Sequence, residues 1–311
     1  MAIRPPLPRL SLVLGMGTLL ACMPDLAIGA SFRVEGMHIH RSGTSPHFLK
    51  AAQVTLKAYE DQCRLMKSVC ATMPAGARAR DKAACAQITG AFSVKGNPAD
   101  IGKQETDEYF ATGLNMAARQ TTKTLLQVKS VCEVEVVDHK DADLWHYTPS
   151  GHTHYVLKND PRKGRFWMRT EHKQRASVSG GLLAGVFPLT DASKVSAVLK
   201  QKTIAGHRCE VRDVVGPWSG TFCLKATPST FPGQVALEGT VMAGNEIMFE
   251  DQATEVAEKV MLPRAVFFPP QGDTVESQRT VAQSRNNATQ QWCAKQKMET
   301  GVNPCENRDE R

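Results

Sequence analysis

The chain has 311 residues, a formal net charge of +7, 41% apolar residues and nine cysteines, enough for one large domain or two modest ones. So mild a positive excess is not the footprint of a nucleic-acid binder. No P-loop, GxSxG, HExxH or dinucleotide fingerprint is present, which leans the reading away from catalysis.

The chain opens on Met1–Ala30, with Arg4 and Arg9, an apolar run from Leu10 to Ala21, and a tail of small residues. That layout is a secretory signal, and the run is too short to span a bilayer as a helix. Two cut sites compete. Cleavage after Ala30 would start the mature chain at Ser31. Cleavage before Cys22, in Leu19-Leu20-Ala21-Cys22, would make Cys22 the lipidated first residue of a lipoprotein. The expected location is accordingly periplasmic, or outer-membrane through Cys22.

Ser31–Arg41 alternates and reads as a strand. Pro46–Met73 reads as a helix, with Leu49, Val54, Leu56, Leu65, Met66 and Val69 as a loose apolar stripe. Asp81–Thr89 is a shorter helical piece, and Asn97-Pro98-Ala99-Asp100 starts another, running to Arg119. Residues 46–119 thus form a helical block, read as an insertion after the first strand.

From Thr121 the period changes to two. Leu126, Val128, Cys132, Val134 and Val136 fall on one face of a half-buried antiparallel strand. Thr148-Pro149-Ser150-Gly151 reads as a type I turn followed by a left-handed glycine. A three-residue loop then sets Thr148 opposite His152 and His146 opposite His154. In that register Trp145, Tyr147, Thr153, Tyr155 and Leu157 share one face, and His146, His152 and His154 the other.

After a turn at Asn159–Gly164, Arg165–His172 is a strand with Phe166 and Met168 on one side. Gly180–Asp191 is an apolar loop and Ala192–Leu199 a short helix. Thr203–Val214 and Thr221–Lys225 form a hairpin, and Val235–Gly239 and Val241–Phe249 are further strands. Asp251–Glu258 reads as strand and loop. Val260–Pro270, VMLPRAVFFPP, leads into a polar tail with a helix near Glu276–Met298. The expected architecture is α+β: a signal peptide at 1–30, a strand and helical block at 31–120, a curved antiparallel sheet or incomplete barrel at 121–272, and a disulfide-closed helical tail at 273–311.

Beyond Cys22, eight cysteines remain, an even number that suggests disulfides in an exported chain. Cys209 and Cys223 flank a turn and can meet across a hairpin. Cys293 and Cys305 flank another. Cys63, Cys70, Cys85 and Cys132 then pair among themselves. In one helix Cys63 and Cys70 lie about 10 Å apart, beyond disulfide reach, so each pairs with Cys85 or Cys132.

One stretch carries a resemblance. Thr203-Ile204-Ala205-Gly206-His207-Arg208-Cys209-Glu210, followed by Phe222-Cys223-Leu224 and the late Leu262-Pro263-Arg264-Ala265-Val266-Phe267-Phe268-Pro269-Pro270, resembles exported bacterial proteins of a family of unknown function. That family is similar in shape to the outer-membrane lipoprotein carriers. Over residues 121–272 the resemblance implies a curved sheet around an apolar interior, which the carriers use for acyl chains. It implies no functional residues.

Three side-chain groups are candidate sites. His139, Asp141, Asp143, His146, His152 and His154 have the ligand chemistry for a divalent metal such as zinc, copper or nickel. His38 and His40 repeat the His-x-His pattern. A solvated polar sheet face is the plainer reading of both. Lys158, Arg162, Lys163, Arg165 and Arg169 around Phe166 and Trp167 could meet an anionic lipid or polymer, or form a charged hairpin tip. The aromatic face of Trp145, Tyr147, Tyr155, Leu157, Phe166 and Met168 could line a ligand cavity or be packed core. The leading expectation is a non-catalytic periplasmic protein that binds a hydrophobic or amphiphilic ligand such as lipid. The alternatives are a histidine-mediated metal binder and an interaction module of the envelope.

Overall fold

The structure is a computed structural model. The residues described are 32–88, 90–160, 163–173, 194–215, 219–226 and 234–279, with 289–291, 293–294 and 298. The export segment, the loop expected at 180–191, Arg162 and Cys305 lie outside them.

In chain order the elements are β1 (Arg33–Thr44), helix α1 (Pro46–Ala71), α2 (Ala79–Ala86), β2 (Ser93–Lys95), β3 (Lys103–Ala111), β4 (Met116–Ser130), β5 (Glu133–Thr148), β6 (Gly151–Asp160) and β7 (Gly164–His172). There follow β8 (Lys194–Val195), β9 (Lys200–Ile204), β10 (His207–Val215), β11 (Ser219–Ala226), β12 (Gln234–Ala243), β13 (Glu246–Pro263) and β14 (Val275–Ser277). The chain is mostly β, so the α+β expectation holds only in part. Among the described residues the strands make one 14-stranded open sheet, ordered β14-β7-β6-β5-β4-β3-β1-β13-β12-β11-β10-β8, with β2 on β5 and β9 on β10.

Strand β1 joins two antiparallel meanders, pairing with β3 on one side and β13 on the other. The sheet curls so that distant strands meet. Met37, Ile39, Phe110, Ala117 and Trp145 from one half pack in one cluster with Cys209, Val211, Cys223 and Leu237 from the other. This face is the inner face, and the sheet is not closed into a barrel. On the outer face of β3–β7, Ala118, Leu144, Leu157 and Trp167 pack beneath Phe267.

Helix α1 starts where Ser45 caps it. The Ser45 hydroxyl accepts from Phe48 N at 3.2 Å and donates to the Met248 carbonyl at 2.5 Å, with proline in the first turn. Ala52 and Cys63 are its buried residues. Cys63 is bonded to Cys132 in the β4–β5 turn, and Cys70 to Cys85 of α2. Both bonds obey the expected rule that Cys63 and Cys70 pair elsewhere. Cys209–Cys223 joins β10 to β11 as expected. The expected Cys293–Cys305 bond involves a residue outside those described.

Several expected elements differ. The helix expected over 97–119 is a single 3-10 turn at Pro98–Asp100 followed by β3 and the start of β4. The inward positions of β3 are Thr106, Glu108 and Phe110, all buried. Two polar side chains there erase the apolar alternation that marks a strand. The sheet therefore begins at Arg33, and only residues between β1 and β3 form the insertion. Thr203–Val214 is two strands, because Ala205 and Gly206 both take positive φ, 46° and 80°, in a two-residue hairpin turn. Lys194–Val195 pairs with β10 where a helix was expected, since Val214 and Val215 offer it a strand edge. Val275–Ser277 pairs in parallel with β7, so the tail helix cannot begin at Glu276.

The 148–151 turn also overturns a reading. Thr148 pairs with Gly151, leaving the two-residue loop Pro149-Ser150, so Trp145 opposes His154 and His146 opposes Thr153. Gly151 is not left-handed. A Cβ there would lie 2.1 Å from the His172 carbonyl oxygen, so the close approach of β7 requires glycine.

Candidate functional site: a cleft beneath a strap

The two-residue register divides the expected aromatic face. Trp145, Tyr147, Phe166 and Met168 lie on the inner side, with His152, His154 and Val156. Tyr155 and Leu157 lie on the outer side, with Leu144, His146 and Trp167.

The inner side is filled and charged. Trp145 stacks on His154 with centroids 4.9 Å apart, and the Arg119 guanidinium lies 5.5 Å from the Trp145 ring. His152 stacks on Tyr147 at 5.5 Å and on His172 at 4.4 Å. Burial pushes the Tyr147 hydroxyl up to about 12. Charges of alternating sign run across the strands from Asp251 through Arg41, Glu108, Arg119 and Asp143 to His154. Arg41 donates to Asp251 through Nε at 2.8 Å and Nη2 at 2.9 Å, to Glu108 at 3.4 Å, and to the Ala236 carbonyl. Glu108 is paired in register with Arg119, and Arg119 with Asp143. Arg119 Nη2 donates to Asp143 at 2.7 Å, and His154 Nε2 lies 3.0 Å from the other Asp143 oxygen.

These neighbours tune the acids in opposite directions. Burial pushes the Glu108 carboxyl up, against the opposing charges of Arg41 and Arg119. Burial also acts to raise Asp143, but the His154 hydrogen bond and the Arg119 charge outweigh it and hold the carboxyl at about 2. An acid depressed on folding contributes stability that is complete above its unfolded value, near 4, and lost as pH falls through its folded value. Glu108 has the reverse sign, because acid relieves the cost of burying its charge. Asp143→Asn isolates the first effect. Between pH 5 and pH 2 the variant is expected to lose about 2 kcal/mol less unfolding free energy than the parent, measured by urea titration. Equal losses would show that Asp143 is not held as described.

The outer side holds the open space. After Pro263 the chain crosses the outer face as a 3-10 turn, Arg264–Phe267, and continues to the β7 edge. There Trp167 Nε1 donates to Asp273 at 2.9 Å and Trp167 N to the Thr274 carbonyl at 2.8 Å. His146 pins the middle of this strap, with Nε2 2.6 Å from the Phe267 carbonyl. Its ring packs against Tyr155 and Phe268, and burial lowers its pKa. Between strap and sheet lies a cleft of about 370 Å3. Leu144, Leu157 and Trp167 floor it, Val266, Phe268 and Pro270 wall it, and Gln120, Thr122, Lys140 and Arg165 edge it.

The expected site residues therefore part company. Leu157 lines the cleft and Tyr155 packs in the same outer cluster. Trp145 and Tyr147 belong to the inner cluster. His139 lies 3.2 Å from Asp141. His146 faces outward while His152 and His154 face inward, so the expected histidine set is divided. Among the described residues no three His, Cys, Asp or Glu side chains are arranged to hold a metal ion. His38 Nε2 and His40 Nδ1 both meet Asp107 Oδ1, at 2.8 and 2.9 Å. In the basic cluster, Lys163 pairs with Glu276 at 3.0 Å and Arg169 with Glu171, while Arg165 edges the cleft. Lys140, Leu144 and Phe268 were not read as site residues, and Trp167 was read only beside the basic cluster. The one available signal was Gly151 at the fourth turn position, which suits a four-residue type I turn and brings Leu144 level with Tyr155.

No protein-family model matches the chain, and no curated protein matches it. Three disulfides among the described residues point to an oxidising compartment. No helix among the described residues is long and apolar enough to cross a membrane.

Proposed function

We propose that this is an exported, periplasmic protein that binds an amphiphile without transforming it, in the cleft beneath the strap. One observation carries the reading. A cleft of about 370 Å3 is floored by the buried apolar side chains Leu144, Leu157 and Trp167 and edged by polar ones, which is the composition of a small-molecule site. The oxidising environment implied by the disulfides supports the location, and the resemblance to an exported family shaped like the lipoprotein carriers supports the ligand class.

A native mass spectrum of the protein made with its own export segment tests the proposal. A non-covalent adduct of lipid mass is expected, and Leu157→Glu, which sets a charge on the floor, is expected to abolish it. A bare chain that also takes up no added dodecyl-chain amphiphile would overturn the reading in favour of an envelope interaction module.

A further inference from the structure

The charges around the cleft are unevenly satisfied. Its two rim carboxylates are engaged: Asp107 with His38 and His40, and Asp141 with Lys123 at 2.8 Å and His139. Lys140 and Arg165 have no carboxylate within ion-pair distance among the described residues, although both line the cleft. The fold brings them to the same end of it. Asp143 is level with Val156, and Val156 with Met168. Strands β5 and β7 both run antiparallel to β6, so they run in the same direction. Lys140 precedes Asp143 by three residues and Arg165 precedes Met168 by three, which places both cations one step beyond the apolar floor on the same outer face.

We propose that the cleft takes a single-chain amphiphile with an anionic head, the chain lying on Leu144, Leu157 and Trp167 and the head meeting Lys140 and Arg165. This inference rests on the amphiphile reading above and specifies its ligand. The volume of about 370 Å3 is at the low end for small-molecule sites, which run from about 300 to 1,000 Å3, and suits one chain rather than two. Arginine offers a planar fork that matches either carboxylate or phosphate, and lysine a point charge that suits both.

Calorimetric titration with four dodecyl probes at monomeric concentrations tests it: dodecanoate, dodecyl phosphate, dodecylammonium and dodecyl maltoside. At least one anion is expected to bind about tenfold or more tighter than the cation, with the advantage shrinking in 1 M salt. Which anion binds tighter identifies the head as carboxylate or phosphate. The double variant Lys140→Gln/Arg165→Gln alters two exposed side chains, so it is expected to fold. It should remove the anion's advantage and leave maltoside binding unchanged. Equal binding of all four probes, unaltered in the double variant, would overturn the anionic-head inference and leave the cleft as an unselective amphiphile site. No binding by any probe would overturn both.

Discussion

Replacing Arg41 by alanine is expected to destabilise the protein by about 3–5 kcal/mol, the loss typical of removing one partner from a buried ion pair. Arg41 is 5% exposed and Glu108 4% exposed. The guanidinium is the cation between Glu108 and Asp251, and it also satisfies the Ala236 carbonyl. Its removal leaves the buried Glu108 and the largely buried Asp251 carboxylates with no cation between them. The effect is read by urea denaturation at pH 7. Lys123→Ala supplies the comparison, because the Lys123–Asp141 pair is partly exposed to solvent and a solvent-screened pair contributes about 1 kcal/mol or less. The Arg41→Ala deficit is expected to narrow toward pH 4, since a neutral Glu108 no longer needs the cation. A loss below about 1 kcal/mol, equal to that of Lys123→Ala, would show that the charge row is not buried in solution.

Removing the Cys63–Cys132 bond in a Cys63→Ala/Cys132→Ala variant is expected to cost about 4 kcal/mol. The bond closes 69 residues, and restraining a loop of that length in the unfolded chain is worth that much in the chain-entropy treatment. At about 2–4 °C per kcal/mol for a protein of this size, the thermal midpoint should fall by roughly 8–16 °C. The position sharpens the effect. Ala52 and Cys63 are the buried residues of α1, so the helix is held by the Ser45 cap at one end and by this bond near its middle. Hydrogen exchange should show α1 losing protection before the sheet does. A midpoint within about 3 °C of the parent would mean that α1 is held to the sheet by contacts other than the disulfide.

Local chemistry carried the elements that could be read in advance. Pro46–Met73 reads as a helix because proline sits at its start and apolar residues recur at helical spacing, and α1 ends two residues before that boundary. Reach limited the disulfides: residues seven apart on a helix cannot bond, so Cys63 and Cys70 each had to find Cys85 or Cys132, and the fold decided which. VMLPRAVFFPP stood out, and it spans the end of β13 and most of the strap. Strand β3 could not be read, because its inward side chains include Thr106 and Glu108. A strand is recognised by an apolar face, and this one turns a carboxylate inward, where Arg41 and Arg119 receive it. The cleft failed for a different reason. A one-residue difference in hairpin loop length transfers every side chain of the partner strand to the other face, so Leu157 and Tyr155 left the company of Trp145 and Tyr147.

By itself, then, the sequence determined the long helix, the exclusion of a Cys63–Cys70 bond and the segment that becomes the strap, because each depends on chain geometry over a few residues or on the reach of one side chain. Only the tertiary structure decided that β1 stands between two meanders, that buried charges replace apolar side chains along one row, and that Leu144, Leu157, Trp167, Lys140 and Arg165 share a cleft. Those outcomes depend on strand register and on neighbours distant in the chain, and no local pattern of residues encodes which side of a curled sheet will be covered.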